Sequence, residues 1–225
     1  MRFTGKELLI FDLDGTLIDS APDLALSVNY MLRSINHDEF SDEIIDSWVG
    51  NGASILVKRA LSGSDVIDTN IDNSLYEKAL NIFLNYYKKN LCVKTTTYFG
   101  VKDTLQILKE NGYKLSIVTN KPFDFIEPIL KRLELIEYFE LFIGGDSLQK
   151  KKPEPEPLLY ICENLDIKPE NSLMIGDSKN DILSAKAALI QNIGVSYGYN
   201  YGEDIRVYEP DFTVDDFSDI LKVLI

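Results

Sequence analysis

The sequence has few cysteines, a shortage of basic residues and no long apolar run, and each shortage excludes a class of protein. Cys92 and Cys162 are far apart and have no Cys-x-x-Cys partner, so we expect reduced thiols rather than a disulfide framework. The 23 Lys and Arg residues stand against 36 Asp and Glu, a formal net charge of -13, which disfavours nucleic acid as a partner. No run approaches the roughly 18 apolar residues of a membrane-spanning helix, and residues 1–6 leave no room for a signal peptide. We therefore expect a cytoplasmic protein, monomer or dimer, with no membrane partner.

What the sequence does have is a pair of aspartates where an apolar strand ends. Residues 7–11 are typical of a buried strand, and Asp12-Leu13-Asp14-Gly15-Thr16 follows directly. Aspartate is depleted in strands and costly to bury without a partner. The pair therefore indicates a bound cation or acid and base chemistry, and the alternative, an ordinary turn before the glycine, stays open at this point.

Two later strands end in the same manner. Residues 113–118 are followed by Thr119-Asn120-Lys121, and residues 172–175 are followed by Gly176-Asp177-Ser178. A helical pattern comes after each of them, and such repeated units predict a parallel sheet with right-handed crossovers. We predict an α/β fold with a doubly wound, Rossmann-like parallel sheet. The polar residues of the three strand ends should converge at the edge where such sheets bind ligands.

The segment between the first and second strands is too long for a simple crossover. Ser20-Ala21-Pro22-Asp23 predicts a helix start of the capping-box type. Apolar residues recur at helical spacing over residues 24–35, 41–48, 53–61 and 74–90. We therefore predict a core domain of residues 1–21 and 92–225, interrupted by a helical cap domain of residues 22–91.

Four ordered elements make the chain similar to the haloacid dehalogenase superfamily. Its phosphohydrolases carry Asp-x-Asp-Gly-Thr, a hydroxyl residue after a second strand, a lysine, and Gly-Asp-x-x-x-Asp. Here these elements are residues 12–16, Thr119, Lys152 and residues 176–181. Residues 151–157, 176–181 and 198–203 most resemble those of bacterial phosphoglycolate phosphatases. The resemblance covers the whole chain and implies a phosphoric monoester hydrolase with an inserted helical cap.

The resemblance also implies a role for each motif aspartate. Asp12 would be the nucleophile that forms an aspartyl-phosphate, and Asp14 the general acid and base. The implied cofactor is Mg2+, held by the carboxylates of Asp12 and Asp177 and by the backbone carbonyl of Asp14, with Asp181 behind them. Because Asp14 would protonate the leaving alkoxide, we expect its side chain to point away from the metal.

The same resemblance assigns the phosphate contacts. Thr119, with Asn120 beside it, would bind the substrate through a hydroxyl and backbone amides, and Lys152 would balance the phosphoryl charge. Lys152 lies directly before Pro153, which restricts its loop. Lys151 is the alternative contact. The ordinary interpretation of three consecutive lysines, a solvated basic run, also stays open.

Substrate choice is expected to lie in the cap. The Gly50-Asn51-Gly52 segment either ends a helix or places Gly50 and Asn51 over the organic group of the ester. A small carboxylated substrate needs a cation, and Arg59 fits better than Lys58 because a guanidinium binds a carboxylate through two hydrogen bonds. An exposed charge on a helix is the alternative interpretation of Arg59.

The resemblance implies hydrolysis of a small-molecule phosphate ester, and the expected substrate is 2-phosphoglycolate, which would give glycolate and phosphate. A broader sugar-phosphate phosphatase and a phosphomutase like beta-phosphoglucomutase share Asp12, Asp14 and the cap, so both stay open. A non-enzymatic phospho-aspartate signalling module is a more distant alternative. Such modules are shorter and have no helical insert, and fold alone does not decide between these functions.

Overall fold

Six parallel strands form the central sheet of the computed structural model, which describes residues 2–224. The strands of these residues are β1 (Leu8–Phe11), β2 (Ile18–Asp19), β3 (Thr96–Thr97), β4 (Lys114–Val118), β5 (Leu141–Ile143), β6 (Ser172–Gly176), β7 (Gln191–Val195) and β8 (Phe212–Val214). The sheet has the order β5-β4-β1-β6-β7-β8. The chain therefore winds outward from β1 first to one edge and then to the other, which confirms the predicted doubly wound α/β fold.

The helices surround this sheet and also form the insert. They are α1 (Ala21–Ser34), α2 (Asp42–Asp46), α3 (Ala53–Ser62), α4 (Asn73–Lys89), α5 (Val101–Glu110), α6 (Ile126–Arg132), α7 (Glu156–Leu165), α8 (Lys179–Ala187) and α9 (Leu221–Leu224). The first four lie between β2 and β3, in the segment where the sequence predicts a helical cap. We refer to these four helices and their loops as the cap.

The structure bears on two expectations from composition, one about the cysteines and one about membrane-spanning helices. Cys92 is half-buried and Cys162 is buried, and both are free thiols. Among residues 2–224, no helix combines the length and the apolar character needed to cross a membrane.

The side chains of β1 alternate between the two faces of the sheet, and both faces are covered. Leu9 and Phe11 belong to the larger apolar core, whereas Leu8 and Ile10 belong to a smaller core that includes α7. The larger core continues into the cap, where Phe83 of α4 is fully buried in it. The cap and the sheet therefore share one continuous apolar core.

The start of α1 differs from the predicted capping box. The side chain of Ser20 makes no capping hydrogen bond, and its hydroxyl instead donates to Asp14 Oδ1. Asp23 accepts hydrogen bonds from the backbone N–H groups of Lys94 and Thr95, both at 2.9 Å, and from Thr95 Oγ1 at 2.6 Å. The prediction was wrong because the Ser20 hydroxyl binds Asp14 and the Asp23 carboxylate binds the returning segment at residues 94–95.

The two segments that join the cap to the sheet domain run side by side. Strands β2 and β3 pair in antiparallel fashion, and Asp23 ties α1 to the returning segment. The Tyr199 hydroxyl accepts a hydrogen bond from the backbone N–H of Ser20 at 2.8 Å and donates one to Asp19 Oδ1 at 2.7 Å. The cap therefore leaves and rejoins the sheet domain at one place, directly after Asp14.

Candidate active site

Three buried carboxylates meet where β1 and β6 end. Asp12 follows β1 directly, Asp177 follows β6, and Asp181 lies in the first turn of α8. One oxygen from each lies within 4.8 Å of the other two, and the residues are 7%, 2% and 0% exposed. Three like charges in so small a buried space repel each other unless protons or cations neutralise them.

The proton affinities of these groups reflect that repulsion. Burial raises the pKa of Asp12 to about 7, Asp181 and Asp14 add to the rise, and Lys152 opposes it. Burial and the charges of Asp12 and Asp181 also hold the pKa of Asp177 well above its usual range. Carboxylate oxygens are the ligands that Mg2+ prefers in proteins. The donor set therefore fits Mg2+, and Asp12 and Asp177 are the side chains that would hold it.

Glycines make room for the Asp177 side chain. Gly15 has a φ of +87°, and a Cβ at that position would lie 2.3 Å from Asp177 Oδ2, while one at Gly198 would lie 2.2 Å from Asp177 Cβ. Thr16 Oγ1 donates to Asp177 Oδ1 at 2.7 Å, and the backbone N–H of Tyr199 donates to Oδ2 at 2.9 Å. The turn after β1 thus fixes the orientation of a carboxylate that comes from β6.

A buried lysine balances part of the negative charge. Lys152 Nζ donates to the last carbonyl of β4 and to Asp181 Oδ1, both at 2.6 Å, and lies 3.0 Å from Asp12 Oδ1. Burial lowers its pKa, but the two carboxylates outweigh that effect and raise it, so the ammonium stays charged. Lys151 instead donates to the backbone carbonyl of Asn51 at 2.9 Å. The structure therefore brings Lys152, and not Lys151, to the carboxylates.

The side chain of Asp14 has partners of its own and does not belong to the group of three carboxylates. Its Oδ1 accepts hydrogen bonds from the Ser20 hydroxyl and from Lys121 Nζ, the latter at 2.8 Å. Burial opposes the charge on Lys121, yet the ion pair with Asp14 outweighs burial and raises the pKa of that ammonium. Asp14 thus has its own cation, separate from the one that faces Asp12.

A pocket lies between the cap and the sheet domain, beside Asp12 and Asp14. The loop after β4 lines one side of it, and residues of α1, α3 and α4 line the other. Thr119 Oγ1 accepts a hydrogen bond from the backbone N–H of Lys121 at 3.1 Å, which leaves the hydroxyl proton to donate into the pocket. Asn120 Nδ2 donates to the backbone carbonyl of Lys152 at 3.1 Å.

The Gly50-Asn51-Gly52 segment contacts the sheet domain directly. Asn180 Nδ2, which has two protons to donate, lies 2.9 Å from Asn51 Oδ1, 2.9 Å from the Tyr201 hydroxyl and 3.3 Å from the Gly50 carbonyl. Asn120 Nδ2 also lies 3.4 Å from the Gly50 carbonyl. These contacts hold the cap closed over the carboxylates.

Arg59 lies outside this pocket. It donates to the Trp48 carbonyl at 2.8 Å and to the Asp65 carbonyl at 3.1 Å, so it connects two loops of the cap. Lys58 Nζ lies 4.9 Å from the centre of the Tyr76 ring. The structure therefore brings neither of the two predicted carboxylate-binding cations to the aspartates.

Comparison with known proteins agrees with this architecture. The family model for haloacid dehalogenase-like hydrolases matches residues 9–195. The chain belongs to this family. Because this is a family of hydrolases, a non-enzymatic signalling module is no longer an alternative for the chain.

Relatives of this haloacid dehalogenase-like hydrolase match it over nearly its full length. The chain is 52% identical over 221 residues to a phosphoglycolate phosphatase of Colwellia psychrerythraea, with 98% of each chain covered. It is 46% identical to a phosphoglycolate phosphatase of Psychrobacter arcticus, covering 98% of this chain and 96% of the relative. A crystal structure of a predicted phosphoglycolate phosphatase from Haemophilus somnus superposes with a TM-score of 0.91 at 39% identity, covering 98% of each chain.

Three polar residues of this haloacid dehalogenase-like hydrolase were not predicted from its sequence. The sequence pattern predicts a helix cap at Ser20 and indicates no role for Lys121 or Asn180. The available signal for Lys121 was its place two residues after the predicted Thr119, in a loop at the ligand-binding edge. No comparable signal marked the other two.

Proposed function

We propose that this phosphoric monoester hydrolase uses Mg2+ and that its substrate is 2-phosphoglycolate, which it converts to glycolate and phosphate. The family and the names of its curated relatives support the substrate class. The observation that carries the proposal is the separation of the two motif aspartates. Asp12 lies with the carboxylates and Lys152, whereas Asp14 lies apart, against Ser20 and Lys121. Two such environments suit a nucleophile and an acid on either side of a phosphoryl group.

Asp12 is the proposed nucleophile. Its Oδ1 accepts a hydrogen bond from the backbone N–H of Leu13 at 2.7 Å and lies 3.0 Å from Lys152 Nζ, and Oδ2 makes no hydrogen bond within residues 2–224. We assign Oδ2 to attack phosphorus, which forms the P–O bond of an aspartyl-phosphate and breaks the bond to the ester oxygen. Bound Mg2+ would supply charge neutralisation here, since two anions about 4 Å apart repel by several kcal/mol at an effective dielectric near 20.

Asp14 is the proposed general acid and base. In its protonated form the carboxyl group gives the proton on Oδ2, the oxygen that accepts neither the Ser20 nor the Lys121 hydrogen bond, to the leaving alkoxide, so that glycolate departs as an alcohol. The resulting carboxylate then takes a proton from a water that attacks phosphorus and breaks the bond to Asp12. A group in this role contributes roughly 100-fold to 10,000-fold to the rate. Ser20 and Lys121 hold the carboxyl group in place.

Thr119 and Lys152 are the proposed contacts for the phosphoryl oxygens. The Thr119 hydroxyl faces the pocket with its proton available. Lys152 already has three acceptors for its three protons, so it stabilises the transferred charge mainly through its position beside Asp12.

A substrate panel tests the proposal. Phosphate release is measured from 2-phosphoglycolate, hexose phosphates, nucleotides and pyrophosphate, with Mg2+ and with a chelator. We expect 2-phosphoglycolate to have the highest kcat/KM and the chelator to abolish turnover. Preference for a hexose phosphate would overturn the substrate, and conversion of one hexose phosphate isomer into another would indicate a phosphomutase.

Intact-protein mass spectrometry after a rapid quench tests the covalent step. Wild type should carry one phosphoryl group, and Asp12→Asn should carry none because an amide is a poor nucleophile. Asp103→Asn, at an exposed position of α5, is the matched control and should be labelled like wild type. Equal labelling of the Asp12→Asn protein would overturn the assignment of the nucleophile.

A further inference from the structure

The pocket contains two buried polar atoms that have no hydrogen-bond partner. Tyr87 Oη and Asn120 Oδ1 are both unpaired within residues 2–224, and both residues line the pocket together with Lys121. Unpaired buried polar atoms are uncommon in folded proteins, and each one needs a physical explanation. A ligand with acceptor oxygens that binds between the cap and the sheet domain supplies the missing partner of the Tyr87 hydroxyl.

Tyr87 presents its hydroxyl from the cap side. The residue lies on α4 and is 2% exposed. Its ring stacks on Phe83 at 5.9 Å and meets the edge of Phe125 at 5.1 Å between ring centroids, which fixes its direction. Burial raises the pKa of Tyr87 to about 12, so the hydroxyl keeps its proton and acts as a donor.

Lys121 presents its ammonium from the sheet side. Its Nζ lies 2.8 Å from Asp14 Oδ1 and 4.9 Å from the centre of the Tyr87 ring. The loop that carries it is held by the Gly145 N–H, which donates to the Lys121 carbonyl at 2.9 Å. A Cβ at Gly145 would lie 2.5 Å from the Asn120 carbonyl oxygen, so this close backbone packing requires glycine. An ammonium has three protons, and the contact with Asp14 uses one of them.

We propose that Lys121 and Tyr87 together bind the carboxylate of the substrate, with the ammonium as the charged donor and the hydroxyl as the neutral one. The inference rests on the proposed function, since it takes 2-phosphoglycolate as the substrate. In that molecule one methylene joins the ester oxygen to the carboxylate. A cation that contacts Asp14, the group that protonates the ester oxygen, therefore lies where the carboxylate falls.

The pairing also explains how the cap takes part in recognition. Lys121 belongs to the sheet domain and Tyr87 to the cap, so only the closed arrangement offers both donors. A carboxylate that accepts both hydrogen bonds satisfies the unpaired hydroxyl and shares the charge of Lys121 with Asp14. An ester without a carboxylate leaves the hydroxyl unpaired, and such unpaired groups are how buried sites reject analogues.

The test is the ratio of kcat/KM for 2-phosphoglycolate to kcat/KM for ethyl phosphate, in which a methyl group replaces the carboxylate. The ratio cancels any effect on Asp14 that both esters share. We expect Lys121→Met to lower it by roughly 10-fold to 100-fold and Tyr87→Phe by roughly 10-fold, as for a lost charge-assisted hydrogen bond. Lys88→Met and Tyr86→Phe, on the same cap helix, are the matched controls and should keep the wild-type ratio.

The outcomes separate the inference from the proposed function. A wild-type preference for 2-phosphoglycolate that persists in both variants would overturn the inference alone. Equal wild-type rates on the two esters would overturn the substrate proposal and the inference together. If Lys121→Met fails to fold, Tyr87→Phe decides, because it removes one hydroxyl and keeps the ring that packs against Phe83 and Phe125. Competitive inhibition by glycolate is a second readout, and its weakening in Tyr87→Phe supports the inference.

Discussion

In the absence of divalent cations, the free energy of unfolding should fall as the pH rises from about 4 to about 7. The cause is Asp12, whose pKa burial raises from 3.8 to about 7 in the folded protein. The folded state then binds this proton more tightly than the unfolded state does. The resulting stabilisation is fully present below pH 3.8 and is lost as the pH rises through about 7.

The magnitude follows from the two pKa values. Each unit of pKa difference corresponds to about 1.36 kcal/mol, so a rise from 3.8 to about 7 corresponds to about 4 kcal/mol of unfolding free energy. In a chain of this length 1 kcal/mol shifts the melting temperature by roughly 2–4 °C. The metal-free protein should therefore lose roughly 8–16 °C of melting temperature from this group alone.

The assay compares thermal unfolding of wild type and Asp12→Asn in a chelating buffer across this pH range. An asparagine does not titrate, so the difference between the two melting temperatures reports the ionisation of Asp12 together with its effect on Asp177 and Lys152. Asp103→Asn, at an exposed position, should follow wild type. Mg2+ should stabilise wild type most at the alkaline end, where Asp12 is ionised. Parallel curves for wild type and Asp12→Asn would refute the reasoning.

Four further substitutions have distinct expected outcomes. Asp14→Asn should slow hydrolysis of 2-phosphoglycolate more than that of an activated aryl phosphate, whose leaving group needs no proton; equal losses in steady-state rates would contradict the acid role. Lys152→Met should lower the free energy of unfolding in urea by about 3–5 kcal/mol, because it leaves buried carboxylates without their cation; an unchanged midpoint would contradict this. Asn180→Ala removes the contacts that close the cap and should raise KM more than it lowers kcat, whereas an unchanged KM would contradict a closing role. Arg59→Ala should lower the melting temperature while keeping the ratio of rates on 2-phosphoglycolate and ethyl phosphate, and a fall in that ratio would restore the sequence-based assignment.

The sheet and the motif aspartates could be predicted from the sequence because both depend on short local patterns. A strand covered on both faces, such as Leu8–Phe11, is a continuous apolar run. Aspartates at the ends of such runs have few structural explanations. The parallel topology then brings separate strand ends to one edge, so that Asp12 and Asp177 meet although they are 165 positions apart in the sequence.

The side-chain partners could not be predicted in this way. Ser20 and Asp23 match the pattern of a helix cap in the sequence. That pattern does not show that Ser20 binds Asp14 or that Asp23 binds Thr95 instead. The guanidinium of Arg59 could bind a carboxylate, but in the structure it donates to backbone carbonyls of its own cap loops. Lys121 and Asp14 lie 107 residues apart, and only the three-dimensional fold reveals the contact.

The pairing of β2 with β3 has a consequence for how such an enzyme can acquire new specificity. Since Asp19 lies opposite Thr96 in that ladder, the whole cap is topologically one long loop whose ends are already joined. The entropy of closing a loop grows only slowly with its length, so a cap of another size can be grafted between these two residues at little cost. Such a graft would replace the proposed donor Tyr87, which lies on α4 of the cap, and leave Lys121 and the carboxylates of the sheet domain in place. The residues proposed to select the substrate could then change without a change in those proposed to carry out the reaction.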